Sequence, residues 1–528
     1  MRRDSQGDQS VPARIGVQGF AAPVVRTLTW CLVFLATLLP GVVSAQALSL
    51  PWSGFGHSPQ HTALAAVPSQ PLQRIRWQTP VDLQPQYSGT NLLIHYASPL
   101  VTAANTVLVS VKTGAADGFQ VEARRGADGV LLYTLPTDYS LPPHNWIPSF
   151  SAVLSARNRL YYAGAGGTVY YRDQPDALTG PSGQIAFYGT ATYLGNPAAF
   201  NGTVKISTPI TSDRYGNIFF GYTVLGANPL NLQSGIAKIT YNGIGSFVTA
   251  RAAAGGDAAI TQVPFNAAPA LSNDHRGLYF AVSTGNFGAG FLVSVDSRTL
   301  APMARIRLKD PSTSQDALLA DDGTSSPTVG PDGDVYFGVL ENPFLSHNAR
   351  GWMLHFDGGL SQTKTPGAFG WDNTASVVPA TLVPSYHGAA GYLLLTKYNN
   401  YAGVGSGDGV NKMAVLDPTV AMADPISGIP VMQEVLTIAG PTPDHPSPAF
   451  PNAVREWCIN TAAVDPFTHS ALVNSEDGIL YRWDFTTHTL TEQVVLTIGI
   501  GEAYTPTLVG VDGTVYAINN AILFAVGH

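Results

Sequence analysis

The sequence predicts an all-β fold, an eight-bladed β-propeller of four-stranded antiparallel sheets, with seven blades as the alternative count. Three observations predict it. One phrase recurs eight times: a small or hydroxyl residue, often with Pro, then apolar positions, a turn, and a β-rich run ending in a small residue. The copies lead off at Pro99, Ser151, Pro209, Pro269, Pro327, Ala375, Ala462 and Pro506, mostly 44 to 60 residues apart, about what a four-stranded blade with its turns requires. One step, of 87 residues, must carry an insertion. Finally, 54 Gly and 39 Pro in 528 residues interrupt the chain too often for long helices.

In chain order, the β-rich runs are Val107-Leu108-Val109, Leu160-Tyr161-Tyr162, Ile218-Phe219-Phe220-Gly221, Leu278-Tyr279-Phe280, Val335-Tyr336-Phe337-Gly338, Tyr392-Leu393-Leu394, Ile479-Leu480-Tyr481 and Val515-Tyr516-Ala517. Their aromatic and β-branched residues suit a packed, pleated surface. Asp332-Gly333, Asp477-Gly478 and Asp512-Gly513 fall in the turns, where Gly accepts the positive φ of a tight hairpin. Each phrase therefore reads as two adjacent antiparallel strands. A second phrase, an apolar residue and then Asp, opens a further turn at Asp296, Asp357, Asp417 and Asp484. An Asp there bonds the backbone two residues on, so these carboxylates read as structural.

Composition narrows the class. Only 12% of the residues are charged and the net charge is −8, which argues against nucleic acid as a partner. Collagen, coiled coil and disordered tail are excluded as well. The best apolar run, Leu28 to Leu39, is 12 residues long, too short for a membrane span. Arg26 precedes it, and Val43-Ser44-Ala45 follows with small residues where a signal peptidase reads. Residues 1–45 are thus expected to be a secretory signal and residues 46–528 a single propeller domain, secreted or periplasmic, with an uncleaved anchor as the alternative. The leader holds four Arg and two Asp, so its loss takes the net charge from −8 to −10. Leu28-Thr29-Trp30-Cys31 is a poor lipoprotein box, since its Cys opens the apolar run and Trp30 is bulky. Removal of Cys31 leaves Cys458 alone, and no intrachain disulfide can form.

These phrases resemble the pyrroloquinoline-quinone-like repeat propellers, the superfamily that includes the quinoprotein alcohol dehydrogenases. The opening Trp52-Ser53-Gly54-Phe55-Gly56-His57-Ser58-Pro59-Gln60-His61-Thr62 is similar to the segment that begins such propellers, and Arg74-Ile75-Arg76-Trp77 looks like the strand that latches the ring. The resemblance covers about Trp52 to Val526 and speaks to architecture more than activity. It implies pyrroloquinoline quinone and calcium as the cofactors to consider. The adjacent cysteine pair of the quinone-dependent dehydrogenases is missing, however, and a single mature cysteine cannot supply the Cys-x-x-Cys-His motif of a haem domain. No haem is therefore expected.

In a propeller the innermost strands start at one mouth of the central channel, so residues just ahead of the eight leading positions should ring a funnel. Those places hold His95 and Tyr96; Asn145 and Trp146; Lys205; Asn266; Thr324; Trp371, Asp372 and Asn373; Glu456, Trp457 and Asn460; Glu502 and Tyr504. Glu occurs only seven times in the chain, so two beside inner strands stand out. Asp372, Glu456 and Glu502 are the candidate acid/base or cation-binding groups. Trp371, Asn373, Trp457, Asn460, Tyr504, Lys397, Tyr96 and Trp146 are the candidate ligand contacts. Asn373-Thr374-Ala375 recurs as Asn460-Thr461-Ala462, which gives both Asn a structural alternative, whereas Asp372 has no counterpart. A polar lining with Trp371 and Trp457 as plugs is the competing reading of the whole set.

The glycine-rich run Gly403 to Gly409 reads as a lid or an ordinary surface loop, not as a phosphate cradle. His57 and His61 have helical metal-ligand spacing but lie among Gly56 and Pro59, Asp321-Asp322-Gly323 lacks the spacing of a calcium loop, and no metal site is assigned. There is neither a His-Glu-x-x-His nor a Gly-x-Ser-x-Gly motif. The functional expectation is a funnel that binds, and can act on, a small polar organic molecule. The alternatives are a quinone-dependent oxidoreductase and a scaffold for a protein partner.

Overall fold

A computed structural model describes residues 51–528, apart from residues 90, 94, 95, 145–149, 322–324 and 502. The signal-peptide reading and His95, Asn145, Trp146, Thr324 and Glu502 therefore lie outside the described residues. The described residues form eight sheets of four radial strands, and each repeated phrase supplies the two innermost strands of one blade. These inner pairs begin with Leu100–Val101, Val153–Leu154, Thr211–Ser212, Ala270–Leu271, Thr328–Val329, Ser376–Pro379, Ala463–Asp465 and Leu508–Val509, in blades one to eight. Eight blades, and not seven, close the ring. In blade three, Val204–Ile206 also pairs with the second strand.

Burial follows radial position. The second strands Thr106–Lys112 and Gly277–Ser283 are buried at every residue, because neighbouring blades cover both faces. The outermost strand Thr489–Val495 alternates exposed and part-buried positions. Asp296 accepts the N–H groups of Arg298 and Thr299, and Asp484 those of Thr486 and Thr487, so these carboxylates fold the outer turns. Helices are confined to short pieces such as Thr190–Gly195 and Ala250–Ala253. Among the described residues, no helix is long and apolar enough to cross a membrane.

Closure uses the start of the chain. Arg74–Pro80 pairs antiparallel with Ile522–Gly527 as the fourth strand of blade eight. Trp77 fixes it there, its Nε1 donating to the Gly126 carbonyl of blade one at 2.8 Å beside the Tyr516 ring. The segment before it crosses the axis at the mouth where the inner strands end. The carbonyls of Trp52, Ser53, Pro59, Gln60 and Thr62 accept N–H groups from Val101, Leu154, Leu271, Val329 and Val377, in blades one, two, four, five and six. Ala63 and Ala65 exchange bonds with Val464 of blade seven. Among the described residues, a cleft lies at the opposite mouth, where the inner strands start.

The 87-residue step belongs to blade six. Its outer hairpin is long, Lys412–Ala423 with Pro430–Ala439, and the loops at residues 399–411 and 440–462 rise at the funnel mouth.

Candidate functional site

Blades five to eight present loops at the funnel mouth around a cleft of about 570 Å³. Four of the residues singled out from sequence line it: Trp371 and Asp372 ahead of the inner strand of blade six, Glu456 ahead of that of blade seven, and Tyr504 ahead of that of blade eight. Phe344 and Leu345 of blade five close one side. Tyr401, Val404 and Gly409 of blade six and Asp444 and Val454 of the insertion close the other. The glycine-rich run is a wall held in place, since Ser406 donates its N–H to Asn348 Oδ1 at 3.0 Å and Asn348 Nδ2 donates to Asn400 Oδ1 at 3.1 Å.

Behind the cleft surface lies a buried ion pair. Lys397 Nζ, with no exposed side-chain surface, donates to Asp372 Oδ2 at 2.6 Å. Its ammonium lies 5.2 Å from the centre of the Tyr504 ring and 5.5 Å from that of Phe369. Burial works to lower the lysine pKa, but Asp372, Cys458 and Glu456 more than offset it, so the net shift is upward and the ammonium form is kept. A charge this deep is tolerated only because it is paired and hydrogen-bonded.

Beside the pair, three acidic side chains converge. The Cys458 thiol lies 3.3 Å from Glu476 Oε2, 3.8 Å from Glu456 Oε2 and 3.6 Å from the Tyr504 hydroxyl. Glu476 stands in the hairpin turn of blade seven and accepts the Glu456 N–H at 3.1 Å. Burial pushes its pKa up, against the opposing pull of that N–H, the thiol and Arg455. Burial first, then the negative charges of Asp372, Glu456 and Cys458, holds the Tyr401 hydroxyl well above the usual tyrosine range. Arg455 sits 3.0 Å from Asp444 and 3.8 Å from Glu476. Asp372, Asp444, Glu456 and Glu476 thus share two cations, Lys397 and Arg455, among the described residues.

The other sequence candidates occupy different places. Lys397 lies behind Asp372, not on the cleft surface. Trp457 is fully buried in the core with Tyr481. Asn373 donates to the Asn460 carbonyl at 2.5 Å and accepts from Thr396, so this pair ties blade six to blade seven, the structural role their shared motif allowed. Tyr96 is buried, with its hydroxyl 3.4 Å from Asp82. Lys205 bonds Ser140, and Asn266 is buried beneath the rim. Sequence reasoning passed over Glu476 because it directly precedes an Asp-Gly turn, although its rarity as a Glu was the available signal. Cys458 registered only as a thiol without a disulfide partner.

No family model and no curated protein matches the chain by sequence. Solved structures match by fold. A europium-containing methanol dehydrogenase superposes with a TM-score of 0.54 at 11% identity, over 89% of this chain and 89% of that one. A quinohemoprotein alcohol dehydrogenase from Pseudomonas putida HK5 superposes with a TM-score of 0.50 at 12% identity, over 91% of this chain and 76% of that one. At such identity the likeness is one of fold alone, and that fold is an eight-bladed β-propeller.

Proposed function

We propose that the cleft binds a small polar organic molecule bearing an ammonium or several hydroxyl groups, with Asp372 and Glu456 able to serve as acid–base groups toward it. One observation carries the reading: the carboxylates Asp372, Asp444 and Glu456 and the rings of Trp371, Tyr401 and Tyr504 converge on one cleft. Trp371 and Tyr504 offer faces for stacking, and the excess of carboxylate over cation favours a positive or hydrogen-bond-donating ligand. The same reading takes residues 1–45 as a removable leader of an exported protein. A mature mass starting at Gln46, in protein purified from its host, is the expected result.

Pyrroloquinoline quinone fits these residues poorly. It is a tricarboxylate, and the cleft meets it with Asp372, Asp444 and Glu456 while Lys397 and Arg455 already serve Asp372 and Asp444. With no cation between them, such like charges repel. Cys458 is the one cysteine among the described residues, so the disulfide that the family resemblance calls for cannot form.

Calorimetric titration with matched panels of amines, polyols and carboxylates tests the proposal. An amine or polyol should bind, and Glu456→Gln and Tyr504→Phe should each weaken it by about tenfold or more, or roughly 1.4 kcal/mol. Preferential binding of carboxylates, or full affinity in both variants, would overturn it.

A further inference from the structure

We infer that Glu456, Cys458 and Glu476 form a binding site for a zinc-type divalent cation in the wall of the cleft. One donor atom from each residue lies within 4.8 Å of the others. A tetrahedral zinc ion takes sulfur at about 2.3 Å and carboxylate oxygen at about 2.0–2.2 Å, which sets sulfur and oxygen about 3.5 Å apart. The observed separations of 3.3 and 3.8 Å bracket that distance. Glu456 and Cys458 are two apart in the segment leading into blade seven, with Sγ 3.8 Å from Oε2. Glu476 comes to meet them from the adjoining hairpin turn.

The surroundings match a ligand set. Glu476 Oε1 is held by the Glu456 N–H and lies 3.8 Å from Arg455, leaving Oε2 turned to the thiol, as oriented ligand carboxylates are. Fully buried Asn399 lies along the same segment. Its Oδ1 accepts the Trp457 N–H at 3.4 Å, and its side chain also bonds the Tyr401 hydroxyl. The local excess of carboxylate supplies the countercharge, and the thiol selects a zinc-like ion over calcium or magnesium, which prefer an all-oxygen shell. Three protein ligands are one short of a tetrahedral shell, and the Tyr504 hydroxyl lies 3.6 Å from the thiol. The site shares Glu456 with the cleft described above, so a bound cation would take that carboxylate out of acid–base work, and Cys458 and Glu476, which do not line the cleft, separate the two readings.

The test is metal titration of the chelator-treated full chain. Cobalt(II) should bind one to one with a thiolate-to-cobalt charge-transfer band, and zinc(II) should displace it. Cys458→Ser should abolish the band and weaken zinc binding by about tenfold or more, and Glu476→Gln should weaken it similarly. Unfolding midpoints of the metal-free variants show whether each still folds, and if Cys458→Ser does not, Glu476→Gln carries the test. Absence of saturable cobalt binding, or parental affinity and spectrum in a folded variant, would overturn the inference.

Discussion

His61 shows what burial does to one titratable group. Its ring is 1% exposed, set edge-on to Phe55, with Nδ1 2.7 Å from the Pro327 carbonyl of blade five. Burial lowers its pKa to about 4, and the bond to Pro327 only partly opposes the shift. The unfolded chain takes up a proton near pH 6.5, while the folded one resists until about pH 4. The contribution of His61 to stability is therefore complete above pH 6.5 and is lost as pH falls toward 4, by up to about 3 kcal/mol. Urea unfolding at pH 7.5 and 4.5 should show that loss, and His61→Asn, which tolerates the left-handed backbone (φ 60°), should show a smaller one. Equal pH dependence in the two proteins would refute the assignment. Lys397 is the opposite case, a buried charge kept by its partner, and truncating either member would strand the other at a cost of about 3–5 kcal/mol.

Blade five reaches the cleft through its backbone. Gly338, in the strand Val335–Val339, has no room for a Cβ, because the Gly370 carbonyl crosses it just ahead of Trp371 and Asp372. Gly338→Ala should lower stability by about 1–3 kcal/mol and weaken ligand binding by shifting Trp371. Gly391→Ala, where a Cβ meets nothing within 4 Å, should be close to neutral, and thermal unfolding of the two side by side checks the contrast. Elements of this kind were legible in the sequence, because eight blades impose one packing environment eight times and the inner strand pairs and Asp-opened turns repeat with it. The latch at Arg74–Pro80 was legible through its resemblance. The cleft was half legible: residues ahead of inner strands could be placed from topology, which found Trp371, Asp372, Glu456 and Tyr504. Glu476, Tyr401 and Asp444 come from hairpin turns and an insertion, whose direction depends on neighbouring blades and leaves no periodic trace. Lys397 was recognised but misplaced by one layer, because strand alternation says which face a side chain takes and not what lies on it.

The ring is held from its starting end. Residues 52–65 touch the inner strands of six blades, and residues 74–80 complete a seventh sheet, blade eight. Deleting Ile522–His528 removes the partner of Arg74–Pro80 and should replace a single cooperative calorimetric transition with broad unfolding, with trypsin cutting early at Arg74 and Arg76. A sharp transition with those sites protected would show that the axial segment suffices. The same arrangement has a consequence in time. The strand that closes the circle is synthesised about 440 residues ahead of its partner, and contacts such as Gln70 with Asp512 span 442 positions. Nearly the whole chain must exist before the circle can shut, which makes closure a slow, non-local step. Until then the Arg74–Pro80 edge stands unpaired, so the growing chain is open to joining a second copy of itself for as long as blade eight is incomplete.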